Sequence, residues 1–241
     1  DLYRDILVDA AAQRSLALAH RLVVLHELAP QDVPAQHRAK CVVCFQSTTS
    51  RRLLRKSDRH LRALMVGHLR DEKMPQTLFD AVRLLKAGPG ILVDHIGDDL
   101  DPALGAQARA LAAECPAYRW LGARPHRETR DRIQRAHVLV HCSRMEGGAH
   151  VVMEAMCSGT PVLASRVAGN LGLLGSGYGG TFEPGDAPAL ATLLERARDD
   201  PAMLPALRLQ CAERAPLFEP AHERTALRAL MSHLMSQAHD E

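Results

Sequence analysis

"VLVHCSRMEGGAHVVMEAMCSGTPVLAS", residues 138–165, sets two Val/Leu-rich runs on either side of a helical pattern. "VLVHCS" (138–143) and "PVLAS" (161–165) read as strands covered on both faces. Between them, "RMEGG" is a turn and "AHVVMEAMCS" (149–158) starts a helix. Gly159 is placed to end that helix in a left-handed residue, and Pro161 prevents its continuation. Strand, helix and strand at this spacing make a βαβ unit, which implies a parallel sheet.

The same alternation extends upstream. Short runs at 63–67, 91–97 and 118–122 are separated by amphipathic segments near 75–87, 102–114 and 126–136. The predicted fold class is therefore α/β, Rossmann-like, with a parallel sheet. After "TF" (181–182) the chain turns helical over 186–198, 201–214 and 219–238, with breaks at Pro201, Pro216 and Pro220. Residues 1–45 offer a helix (5–19), a strand (21–25), a short helix (31–39) and a second strand (42–46). Two strands cannot make a doubly wound domain. The expected division is residues 1–50, the end of an amino-terminal domain whose start lies upstream, and 51–241, a linker, a ligand-binding domain and carboxyl-terminal helices.

Composition narrows the function classes. Thirty basic and 28 acidic side chains leave a formal charge of +2, which gives no global pull toward nucleic acid or anionic lipid. No apolar run approaches the ~20 residues of a membrane span. Cys41 and Cys44 form a lone C-x-x-C without the second pair a zinc site wants, so the six cysteines read as thiols in a reducing cytoplasm. The 13 histidines show no metal-ligand spacing, and neither a metal nor a cofactor is expected. The basic stretch "STTSRRLLRKSDRHLR" (47–62) has no aromatic residue between 46 and 78 and reads as a solvated linker. Oligomeric state is not legible.

The turn at 144–148 carries the chemistry. Gly147 and Gly148 lie between the carboxyl end of a parallel strand and a helix start, where α/β sheets bind ligands and backbone amides favour phosphate. Glu146 is in that loop, and Glu154, eight positions on, is in the second helical turn. Two carboxylates there suit sugar and ribose hydroxyls, and Lys73, Arg70 and the Gly147–Gly148 amides suit a diphosphate.

Glu146 to Glu154 resembles the E-x7-E motif of retaining GT-B glycosyltransferases, the family of sucrose-phosphate and mannosyl transferases. "EGGAHVVMEAMCSGTPVLAS" is similar to its E-G-F-G-x-x-x-x-E-A-M-A-x-G-x-P-V-x-A-S, and "VGHLRDEKMPQTLFDAVRLL" to its V-G-R-L-x-x-E-K-G segment. The resemblance covers roughly 61–200 and implies that Glu146 meets the donor sugar, Glu154 the ribose diol and Lys73 the diphosphate. Three positions depart from the family. His68 replaces an arginine, whose contact passes to Arg70 or is lost. Gly148 replaces an aromatic, and Asn170 stands near a usual acid. These departures, with "DLYRDI", "VGHLRDEK", "SRMEGGA" and "LGLLG", resemble the selenosugar synthases of selenoneine biosynthesis. That group couples a UDP-sugar, usually UDP-N-acetylglucosamine, to selenophosphate.

The implied function is metal-independent transfer from a UDP-sugar to selenophosphate, with catalytic residues unknown because much of the acceptor domain lies outside this sequence. Alternatives are a glycosyltransferase with a hydroxyl acceptor, a UDP-sugar epimerase, and a nucleotide-sugar-binding fragment that cannot catalyse alone. Such a fragment would bind UDP, turn over negligibly and be poorly soluble around 21–25 and 42–45.

Other features read as structural. "GSGYGG" (175–180) fits G-x-G-x-x-G but lacks a strand before and a helix after. "DHIGDDLD" (94–101) ends a strand before Pro102, which points to capping. Within it, His95 faces the crevice on this reading, most simply as a structural histidine. The arginines of "RPHRETRDRIQR" read as one wet helix face, and Trp120 as core.

Overall fold

The computed structural model describes residues 9–85 and 90–237. Its amino-terminal part is helix α1 (Ala10–Leu18) and strands β1 (Leu22–Val24) and β2 (Cys41–Val43), the strands joined through 3₁₀ turns at Ala29–Asp32 and Ala35–Lys40. The alternating part runs β3 (Leu61–Val66), α2 (Pro75–Leu84), β4 (Ile91–Ile96), α3 (Pro102–Glu114) and β5 (Tyr118–Trp120). It continues through α4 (His126–Arg135), β6 (Val138–His141), α5 (His150–Met156), β7 (Val162–Ser165), α6 (Ala168–Leu174) and β8 (Thr181–Phe182). Helices α7 (Ala187–Asp199), α8 (Met203–Arg214) and α9 (Pro220–Gln237) follow.

All pairs in the six-stranded sheet are parallel, in the order β5-β4-β3-β6-β7-β8. Strand order reverses between β3 and β6, where Leu64 pairs with Leu139. Helices leaving these two strands go to opposite sides, which opens a crevice at their carboxyl ends. β1 and β2 make a separate parallel pair, with Val23 opposite Val42.

Local chemistry explains the elements. Asp101 accepts from the amides of Ala103 and Leu104, and Pro102 fills the first position of α3, so the aspartates of 94–101 include a true cap. Gly159 has φ +67, the left-handed conformation that ends α5. Val138, Leu139, Val140 and Leu163 are fully buried, packed between helices that contribute Leu78, Ile133, Met153 and Leu173. Each such side chain contributes about 1.5–3 kcal/mol. Phe79 and Tyr118 meet edge-on at 5.7 Å, closing the β5 side.

Several expectations need correction. Residues 47–60 are irregular but not a free linker. The Thr48 amide bonds to Phe218 O (2.9 Å), the Arg51 amide to Cys157 O (2.8 Å), and the Arg51 guanidinium to Asp131 (2.6 Å). The strap is extended because its backbone bonds go to neighbouring elements, and 61–62 already belong to β3. The helix expected at 31–39 is two 3₁₀ turns, broken by Pro34. The helix expected at 5–19 covers Ala10–Leu18, residues 1–8 lying outside the described ones. α6 falls in "VAGNLGLLG", where no helix was expected. Trp120 is half-buried, its indole N–H donating to Gly97 O at 2.9 Å under the Arg109 guanidinium. No helix of the described residues is long and apolar enough to cross a membrane.

Candidate functional site

β3 and β6 deliver the two walls. After β3, the turn Asp71–Lys73 ends at Met74, whose left-handed conformation (φ 46, ψ 51) leads into Pro75 of α2. A non-glycine residue there is strained by about 1 kcal/mol. After β6, the loop carrying Glu146 is drawn onto this turn by the Arg144 amide, which bonds to Glu72 O at 3.0 Å, and by an Arg144–Asp71 ion pair.

Between the walls lies a cavity of about 480 Å³. Five of the sequence-predicted residues line it: His68, Lys73, Glu146, Gly148 and Glu154. Arg70, Gly147 and Asn170 are not among its lining residues. The Arg70 guanidinium is engaged by Glu72 at 3.2 Å. Asn170 is fully buried, and its amide donates to Ser165 O (2.9 Å) and Oγ (3.1 Å), while Ser165 in turn bonds to Ser143 O. Asn170 thus supports the loop from behind. His95, expected to face the crevice, is fully buried, with its nitrogens on Tyr118 Oη (3.0 Å) and Gly67 O (3.1 Å). Burial pushes it down to about 4, so it stays neutral.

Glu146 is nearly buried and forms an ion pair with Lys73. His141 Nε2 donates to its Oε1 at 3.0 Å. Burial opposes ionisation, but the bonds from His141, Lys73 and Ser143 outweigh it and hold the carboxyl at about 2. Close packing fixes the loop, since a Cβ on Gly169 would stand 2.0 Å from Glu146 O. His68 Nδ1 accepts from the Asp98 amide at 3.0 Å, so its other nitrogen carries the proton.

Glu154 is 5% exposed as a side chain. His126 Nε2 lies 2.7 Å from Oε1, with His150 Nδ1 and Arg130 Nη1 each at 3.4 Å from the same oxygen. Burial works against the charge, but hydrogen bonds from His150 and His126 and the charge of Arg130 keep Glu154 below the usual carboxylate range. The bond to Glu154 raises His150 correspondingly. Arg130 corrects the reading of α4 as a wet face. It is buried and also donates to Thr48 Oγ1 (2.8 Å) and Thr49 O (2.6 Å).

Sequence reasoning did not identify His126, Arg130, His141 and His150 as site residues. His150 sits four residues before Glu154, one helical turn on the same face, a spacing that was there to be read. His141 ends β6 five residues before Glu146, whereas His126 and Arg130 meet Glu154 only through tertiary packing. Two ionised carboxylates suit hydroxyl donors, while Lys73 and the His68 ring N–H suit phosphate oxygens. Among the described residues, no group of three or more His, Cys, Asp or Glu is placed to hold a metal ion.

Comparison with known proteins gives the family and the fold. The family described as "Glycosyl transferases group 1" matches residues 46–218, well over half of the chain. D-inositol 3-phosphate glycosyltransferase 1 of Catenulispora acidiphila is 37% identical over 95 residues, covering 39% of this chain and 23% of that protein. D-inositol 3-phosphate glycosyltransferase of Streptomyces bingchenggensis is 32% identical over 166 residues, covering 64% of this chain and 36% of that protein. The chain thus spans about a quarter to a third of the length of these relatives. Anabaena HepE, solved in complex with UDP and glucose, superposes with a TM-score of 0.76 at 18% identity, covering 95% of this chain and 67% of that one. The chain belongs to the group 1 glycosyl transferases and has a GT-B-type fold.

Proposed function

We propose that this chain holds the donor of a nucleotide-sugar glycosyltransferase, with UDP-N-acetylglucosamine as donor and selenophosphate as acceptor. The observation that carries the donor reading is the pair Glu146 and Glu154. Both are ionised and nearly buried, and both line the crevice at the strand-order reversal from the β6–α5 segment. Glu154 receives the ribose diol, Glu146 the sugar hydroxyls, and Lys73 exchanges its partner Glu146 for the diphosphate. Arg70 rotates from Glu72 to assist, the Gly147 and Gly148 amides approach the phosphates, and Asn170 keeps the loop in place. The C1–O bond to the diphosphate breaks, its electron pair leaving with UDP; a selenium lone pair forms the C1–Se bond, and water then cleaves the Se–P bond to release inorganic phosphate and the 1-selenosugar. On this reading the cationic and N–H donors offset the leaving-group charge without a metal.

The selenophosphate assignment rests on the stretches "SRMEGGA" and "VGHLRDEK". Residues 1–50 are assigned to the acceptor domain and 51–241 to the linker, donor domain and terminal helices. Leu25 and Gln46 of the first part pack beside Gly148, within 3.1 and 3.8 Å of where its Cβ would stand, which supports a facing wall there. A second reading, a hydroxyl acceptor, is favoured by similarity to relatives named for inositol 3-phosphate. The test incubates a protein extended to the relatives' length with UDP-N-acetylglucosamine and selenophosphate, thiophosphate or inositol phosphate, with and without EDTA. Formation of a 1-selenosugar in EDTA is expected. Transfer to the hydroxyl acceptor alone overturns the selenophosphate assignment.

A further inference from the structure

The basic run at 51–62 meets the amino-terminal end of the sheet, away from the donor crevice. There it builds a groove of about 770 Å³, lined by Arg55, Lys56, Arg59, His137, Arg198 and Arg208 among others. Leu61, Gly90 and His137, beside the first residues of β3, β4 and β6, form its floor. The crevice is lined at the other end of the same strands, by Val66 and His141. Six residues of strand separate the two, roughly 17–20 Å.

Charges in the groove do not balance. Asp58 is near Arg55 at 3.6 Å, and Arg198 is held by Asp199 at 2.6 and 2.7 Å. Only Asp200 then stands against Lys56, Arg59 and Arg208. Among the described residues the Lys56 ammonium bonds only to neutral oxygens, Gln134 O and Thr160 Oγ1. Nε of Arg208 is buried and has no hydrogen-bond partner among the described residues. A buried guanidinium N–H without an acceptor is unfavourable, and so is a second cation beside it. We propose that this groove is a second ligand site, which takes a phosphate-bearing small molecule with its anion between Lys56 and Arg208.

Two further observations fit. Burial, with the charge of Arg208, lowers Lys56 to about 8, and an anion there would relieve the repulsion. His137 is neutral and structural: Nδ1 accepts from the Arg62 amide (2.9 Å) and Nε2 donates to Ser57 O (2.8 Å), which pins the loop that walls the groove. The volume is that of a small-molecule site. No aromatic side chain lines the groove, which removes the stacking that single-stranded nucleic acid uses.

The test is calorimetric titration of the whole chain with inorganic pyrophosphate, alone and with the donor crevice saturated by UDP. One pyrophosphate site is expected to persist under UDP. Arg208→Gln and Lys56→Met should each weaken it at least tenfold, with UDP affinity unchanged. Because Lys56 also ties Gln134, Arg208→Gln decides the matter if the lysine variant does not fold. No binding, binding abolished by UDP, binding indifferent to the substitutions, or tighter binding of a single-stranded oligonucleotide would each overturn the proposal.

Discussion

His126 Nε2 stands 2.7 Å from Glu154 Oε1, joining the first residue of α4 to the middle of α5. His150 and Arg130 also lie closest to that same oxygen. The donors gather on one side of the carboxylate, and Arg130 reaches from there to Thr48 and Thr49. The floor of the crevice and the strap behind the domain are therefore held by one guanidinium.

Replacing that guanidinium tests the connection. Arg130→Met leaves Glu154 and Thr49 O without their buried partner. Breaking a buried ion pair from one side costs about 3 kcal/mol or more. Urea unfolding should show a loss of that order, and proteolysis within 47–60 should become faster. A loss under 1 kcal/mol would mean that the strap does not depend on Arg130.

Gly169 tests how tightly the Glu146 loop is fixed. An added methyl would meet Glu146 O at 2.0 Å and its Cβ at 2.7 Å, mostly backbone that cannot step aside. Gly169→Ala should destabilise the fold by about 1–3 kcal/mol, as overpacking does. On the proposed donor reading it should also lower sugar transfer more than UDP affinity, because that reading assigns Glu146 to the sugar. Equal losses in both would contradict the separate roles given to Glu146 and Glu154.

pH acts through buried histidine. His95 has a folded value of about 4 against an ordinary 6.5, so the unfolded chain binds the proton first as pH falls. Stability is complete above 6.5 and is lost progressively between 6.5 and 4, by up to about 3 kcal/mol from this group. His26 and His137, also lowered by burial, add in the same direction. Glu146 acts lower: its stabilisation is present above 4.5 and is lost as pH falls toward 2. Urea unfolding at pH 7, 5.5 and 4.5 should show the decline, with a flatter slope in His95→Gln. Because His150, raised by Glu154, acts in the opposite direction, equal slopes in wild type and His95→Gln would contradict a neutral buried His95.

The sheet was legible because its strands are Val/Leu runs punctuated by Gly and Pro, and the predicted α3, 102–114, matches the observed bounds. α6 was not, because "AGNLGLL" has two glycines and little helix propensity. It forms through packing, with Gly169 against Glu146 and Gly172 against His26. The carboxylates Glu146 and Glu154 were legible from spacing within one βαβ unit. Their partners His126 and Arg130 come from the preceding helix, and nothing local announces that pairing. Arg130 does share a face with buried Ile133, three residues on, which marks it as inward-facing.

The most direct measurement of the central claim is calorimetric titration of the chain and of Glu154→Ala with UDP, in EDTA at neutral pH. The donor reading predicts one UDP per chain. It also predicts a 10- to 150-fold loss of affinity in the variant, equivalent to ~1.5–3 kcal/mol of charged hydrogen bonds, measured below a thermal midpoint that falls because Arg130 loses its buried partner. Absence of UDP binding by the wild type, or equal affinity in a folded Glu154→Ala, would contradict the assignment of this crevice to a nucleotide-sugar donor.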